Sequence, residues 1–201
     1  RRDLRSDALE AARDTQESAV LNTFDVAACK RTATALAATG QTQVPTLVLD
    51  NEDAFATTGK PAADPRWQSL RADERERWQR FIAGYQASDA ALAKRRIPVA
   101  RQIVGALHAA GVPILAGTDT PMPGVYPGYS LHEELILLVE AGLPPAEALK
   151  AATLRPAQFL GIAMESGSVD AGKRADLVLL DADPLLDIRN TRRIHAVVLD
   201  G

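Results

Sequence analysis

The most constraining feature of this sequence is a unit that occurs twice: a helical period, a glycine stop, and a short unbroken apolar run. In the second copy Leu92, Val99, Ile103, Val104, Leu107 and Ala110 recur at helical spacing, with Pro98 marking a kink or a fresh start, and Gly111 ends the stretch. Val112-Pro113-Ile114-Leu115-Ala116-Gly117 follows and runs directly into Thr118-Asp119-Thr120. The first copy has apolar positions from Phe24 to Ala38, a stop at Gly40, and the run Val44-Pro45-Thr46-Leu47-Val48-Leu49-Asp50. An unbroken apolar run of that length reads as a strand buried on both faces. Helix followed closely by buried strand, seen twice, predicts parallel strands covered by helices, an α/β fold.

The remaining segments fill in around that unit. Arg2 to Val20 is charged and alanine-rich and reads as a surface helix. Asn51 to Leu70, with Gly59, Pro61 and Pro65, reads as a long loop, and charged Arg71 to Arg80 as a surface helix pinned by Trp67, Trp78 and Phe81. After Asp119, the three prolines and two glycines of Pro121 to Tyr129 make a stiff loop. Ser130 with Glu133 predicts a capping box, and Leu131, Leu135, Leu138 and Val139 the apolar stripe of the helix it starts. Gly142 closes that helix, Pro144-Pro145 opens another through Ala152, and Arg155-Pro156 a short one through Leu160. In the last forty residues, strands are expected at Gly167–Val169, Ala175–Asp181 and Ile194–Gly201 with no helix between them, which predicts antiparallel pairing.

Composition narrows the function. A net charge of −3 with no basic run gives no electrostatic reason to expect nucleic acid or an anionic membrane as partner. No stretch approaches the roughly 20 apolar residues of a membrane span. One cysteine, Cys29, excludes an internal disulfide and reads as a buried, inert thiol in a helix. The chain starts at Arg1 rather than Met, so a missing leader says nothing about compartment; the cytoplasm is the working expectation.

Asp119 is the strongest chemical candidate. A carboxylate just past the C-terminal end of a buried parallel strand stands where α/β barrels and open sheets place reactive groups. The other reading is an aspartate that caps the next turn. Beyond Asp119 the sequence becomes familiar. Gly111 to Thr120 resembles the last barrel strand of the metal-dependent amidohydrolase superfamily. Ser130-Leu131-His132-Glu133-Glu134-Leu135 resembles the following helix in the imidazolonepropionase-like and prolidase-like branch. Ala151-Ala152-Thr153-Leu154-Arg155-Pro156-Ala157 resembles a family helix turn, with Arg155 replacing the usual asparagine. Gly167–Val169, Gly172–Asp181 and Asp183-Pro184-Leu185 resemble strands of the family's small β-sandwich, and Val44–Leu47 the seventh barrel strand.

The resemblance implies the C-terminal part of a (β/α)8 TIM-like barrel over residues 1–162, with its last two strands near 44–50 and 112–118. Residues 163–201 would then be the C-terminal strands of a composite β-sandwich. It implies hydrolysis of a C–N bond in an amide, cyclic amide or dipeptide-like small molecule by metal-activated water. One or two divalent ions, usually zinc, would be held largely by histidines and a lysine of earlier strands, and a homo-oligomer stays open. Asp119 matches the eighth-strand aspartate, a metal ligand and proton shuttle; Thr118, Thr120, Tyr126, Tyr129 and His132 are candidates for substrate or supporting contacts. His108 and His195 fall outside any ligand position and read as structural.

The resemblance implies that Arg1 falls just after the sixth strand, and a full barrel typically needs about 250 residues. One carboxylate cannot retain a catalytic zinc, and the alternative reading is therefore a non-catalytic fragment or subunit that needs a missing half. An open doubly wound sheet with Asp119 holding Mg²⁺ would require a glycine-rich phosphate loop, and the sequence has none.

Overall fold

The computed structural model describes residues 4–54, 63–85 and 87–201. Eight α-helices and one two-stranded sheet are formed by these residues. The helices are α1 (Leu4–Asn22), α2 (Val26–Thr39), α3 (Leu47–Asp53), α4 (Ala72–Gly84), α5 (Ala87–Ala109), α6 (Ser130–Glu140), α7 (Pro145–Ala152) and α8 (Leu154–Phe159). Strands β1 (Leu177–Leu180) and β2 (Ile194–Val198) follow, with 3-10 turns at Pro65–Ser69 and Ile188–Arg192. No described helix is long and apolar enough to cross a membrane.

The helix punctuation follows local chemistry. Asp25 caps α2 by accepting from the Ala27 amide at 2.9 Å. Gly40 ends that helix in the left-handed region, φ 68°, where a residue without Cβ is favoured. Pro98 lies inside α5, so no new helix starts there and one helix runs through to Ala109.

The expected strand near 112–118 is not formed: of that run Ile114 alone is bridged, in parallel, to Gln43 just before the first run. The Gln43 amide donates to the Pro113 carbonyl and the Leu115 amide to the Gln43 carbonyl, both at 2.9 Å. The expected strand near 44–50 is not formed either. Thr46 turns into the left-handed region (φ 49°, ψ 48°) and Leu47 begins α3. The reason is distant in sequence: the buried Glu134 carboxylate on α6 accepts the Val48 amide at 2.8 Å, and the Leu47 amide as well. Those donors belong to a helix start instead of a sheet ladder. A short apolar run fits a buried helix as readily as a buried strand.

Around that junction sits the main core, with Val48, Val104, Leu107, Val112, Ile114, Leu135, Leu138 and Ala148 among its buried members. A smaller aromatic core joins Trp67, Leu70, Trp78 and Tyr126. The helix α4 is therefore pinned as its aromatics implied, although Phe81 stays exposed and packs on Tyr85 instead. Of the expected loop Asn51 to Leu70, residues 55–62, with Gly59 and Pro61, lie outside the described residues. The rest is α3 and a 3-10 turn.

At the C-terminal end β1 and β2 pair antiparallel, as expected, with Val178 opposite Val197 and an irregularity between Leu179 and Leu180. Gly167–Val169 forms no strand; Gly167 turns at φ 94° against Ala157 and Leu154, where a Cβ would collide.

Candidate active site

The site is built on the segment that the parallel bridge holds. Past Ile114 the Ala116 amide donates to the Ala151 carbonyl of α7 at 2.9 Å, which ties the segment to the helix layer. Gly117 lies so close to the first run that a Cβ there would strike the Val44 side chain and press on Thr46. Asp119 then takes the left-handed conformation, φ 56°, and is exposed. Among the described residues no hydrogen bond or ion pair engages its carboxylate. Its carbonyl accepts from the Met122 amide at 3.2 Å, closing a turn.

The flanking threonines bond each other: the Thr118 hydroxyl donates to that of Thr120 at 3.1 Å. Tyr126 is fully buried, edge-on to Trp78 at 5.1 Å between ring centres, with the Arg66 guanidinium 4.4 Å from its own ring centre. Burial pushes its phenol up, with the nearby Asp64 carboxylate adding to the effect. The ring is part of a core. Tyr129 is exposed, 5.8 Å from the same guanidinium. His132 is half-buried, with an Nδ1 that lacks a hydrogen-bond partner among the described residues; burial first and the Arg192 charge second push its pKa down. Asp119, Tyr126 and Tyr129 thus share one loop, while no described contact joins any of these candidates to the Asp119 carboxylate.

The loop's outer grip comes from elsewhere. Trp78 Nε1 donates to the Pro121 carbonyl at 3.1 Å, and Arg77 reaches the same oxygen at 3.3 Å. At the loop's end the Ser130 hydroxyl accepts from the Tyr126 amide and donates to Glu133 at 3.1 Å. The capping box is therefore not realised. Ser130 is already the first helical residue, and Glu133 turns to Arg66 at 2.9 Å.

Glu134 was the residue that sequence reasoning missed. It is fully buried, Oε2 takes the Val48 amide of α3, and Oε1 has no partner among the described residues. Burial pushes its carboxyl up to about 7, a rise the Val48 and Leu47 amides oppose. Its position three residues after Leu131 and four before Leu138, on the apolar stripe, was the available signal.

Asp119 offers one carboxylate donor, and among the described residues no three His, Cys, Asp or Glu side chains converge as a metal site. A catalytic zinc takes three protein ligands, so the described donor set does not fit the ion. His108 lies on α5, and His195 on β2 with its Nδ1 3.0 Å from Asp181.

Residues 28–201 match the model of the amidohydrolase family. The chain belongs to that family. An imidazolonepropionase from Geobacillus kaustophilus is 40% identical over 80 residues, 39% of this chain and 19% of that one. The crystal structure of a candidate prolidase from Bifidobacterium longum covers 60% of this chain and 30% of its own, with 38% identity and a TM-score of 0.53. A Xaa-Pro dipeptidase structure with bound methionine shares the fold over 80% of this chain and 34% of its own, at 24% identity and a TM-score of 0.56. This amidohydrolase chain thus spans about a fifth of that curated relative and about a third of those solved chains. Amidohydrolases fold as TIM barrels; the described residues are helix-rich, with one parallel bridge and one small sheet, and no barrel closes among them.

Proposed function

We propose that this chain carries the eighth-strand aspartate, Asp119, of an amidohydrolase active site that hydrolyses a C–N bond. The substrate class is a small amide, cyclic amide or dipeptide-like molecule, consistent with the imidazolonepropionase and prolidase likenesses. One observation carries the reading: an exposed carboxylate, claimed by no other group among the described residues, just past a segment whose buried Ile114 pairs in parallel with Gln43. In this reading the segments around Gln43 and Ile114 belong to the last two barrel strands, residues 1–162 to the barrel and 163–201 to the β-sandwich.

Asp119 accepts a proton from the attacking water and hands it to the leaving nitrogen. Thr118 and Thr120 shape the turn around it, and Tyr129 and His132 line the approach. The divalent ion expected of the whole protein, zinc by resemblance, needs donors beyond the described residues. A second reading, a chain that is silent without those donors, is favoured by the same count of one carboxylate. The sites, the ion and the substrate are proposals about the whole protein.

The test is turnover of X-Pro dipeptides, N-acyl amino acids and cyclic amides by the whole protein, wild type against Asp119→Asn. Asparagine tolerates the left-handed backbone, so the fold is retained. Loss of a proton-transfer group lowers kcat by about 10²–10⁴. Wild-type rates in the variant would remove Asp119 from the mechanism, and turnover by the isolated 201-residue chain would remove the second reading.

A further inference from the structure

Because no side chain among the described residues tethers the Asp119 carboxylate, its placement rests on the backbone that carries it. That backbone is left-handed at a residue with a Cβ, a conformation that persists where its surroundings hold it. The turn closes through the Met122 amide on the Asp119 carbonyl and continues through the Val125 amide on the Met122 carbonyl at 2.9 Å. Inside that turn the Pro121 carbonyl points to α4, where Trp78 Nε1 meets it at 3.1 Å and Arg77 at 3.3 Å.

Helix α4 is charged over most of its first turns, and Trp78 is its one fully buried side chain. The Trp78 ring is wedged edge-on between Trp67, 5.9 Å away, and Tyr126, 5.1 Å away. A buried indole N–H requires an acceptor, and this one is taken from the loop of Asp119. One ring therefore grips that loop at both ends, by hydrogen bond at Pro121 and by packing at Tyr126.

We infer that Trp78 is a positioning residue for Asp119, which makes α4 a working part of the site and not only a covering helix. The catalytic half of this inference rests on the function proposed above; the grip itself does not. Phenylalanine in place of Trp78 keeps an aromatic ring and loses the N–H.

In Trp78→Phe, amide exchange at Met122 and Val125 accelerates by about tenfold, the worth of one hydrogen bond, while Leu135 and Leu138 in α6 keep their protection. Trp67→Phe, a loss in the same stack that leaves the Trp78 donor in place, spares Met122 and Val125. Exposed Arg77→Met, which cannot disturb the core, gives a smaller rise at Met122. In the whole enzyme Trp78→Phe lowers kcat tenfold or more with KM within twofold, since small misplacement of a reacting group costs up to about 10²-fold. Added to Asp119→Asn it costs nothing further, because the two changes remove one function.

Unchanged exchange at Met122 and Val125 overturns the grip whatever the rates do. A rise spread equally over α6 means general loosening and overturns it as well. Additive losses with Asp119→Asn overturn the link to that carboxylate. A wild-type enzyme without turnover removes the proposed reaction and with it the catalytic half, while the exchange data still decide the grip.

Discussion

The core around α6 and the C-terminal hairpin are written in the same apolar vocabulary and end up in opposite environments. Leu135, Leu138, Val112 and Ile114 are closed off by α3, α5, α6 and α7. Val178, Leu179, Ile194, Val197 and Leu199 lie on or beside a two-stranded sheet, and all five are exposed. Apolar runs show that a face wants covering; the cover comes from other elements, and only the first region has it among the described residues. A pair of strands without further layers has little stability of its own.

The largest effect should therefore fall in the first region. Leu138 is fully buried on α6, and Leu138→Ala leaves a cavity in a packed interior, at a cost of about 2–5 kcal/mol. Denaturant unfolding followed by circular dichroism measures it. A loss below about 1 kcal/mol would mean that this core is loosely packed and that the contrast between the regions is one of sequence only.

Glu134 sharpens the comparison from within, because it is a titratable group set in the covered region. Burial holds its carboxyl near 7 instead of the usual 4.5, with the Asp50 charge adding a little and the Leu47 and Val48 amides opposing. Between those values the folded chain keeps a proton that the unfolded chain has released. The stability this contributes is fully present below pH 4.5 and is lost as pH rises through 7. The difference is about 3 kcal/mol. In Glu134→Gln that fall should vanish from urea midpoints taken at pH 5, 6, 7 and 8. Equal slopes in variant and wild type would place the titration on another group.

What could be read from the sequence divides along the same physical line. Helix ends set by local chemistry were legible: the left-handed glycines at 40, 111 and 142 all stand where the periodicity stops. The position of Asp119 past a buried segment was legible for the same reason. Val44 to Asp50 was not, since its fate depends on a carboxylate 86 residues away that recruits the Val48 amide. The α4 grip was equally hidden, because Trp78 and Pro121 are 43 residues apart and neither signals the other. Tyr126 looked like a pocket residue because an aromatic beside a candidate carboxylate suggests substrate contact; its burial under Trp78 and Arg66 is decided by the small aromatic core. Local signals mark where a residue sits along the chain, and contacts across tens of residues decide what it touches.

The smallest effect belongs to the hairpin. Val197 is 65% exposed on β2 and faces Val178 across the antiparallel pair. Threonine keeps the β-branched shape that suits a strand and exchanges one methyl for a hydroxyl. At a site that water reaches, that exchange changes stability by no more than about 0.5 kcal/mol. Unfolding midpoints of Val197→Thr and wild type, each at several protein concentrations, make the measurement. A loss above about 1 kcal/mol would require the hydroxyl to be drawn out of water on folding, so another surface must cover this face in solution. If the loss also grows with protein concentration, that surface is a second copy of the chain, as an open homo-oligomer would have it. Either result would break the comparison, because the hairpin would then be a covered region whose cover lies outside the described residues of one chain.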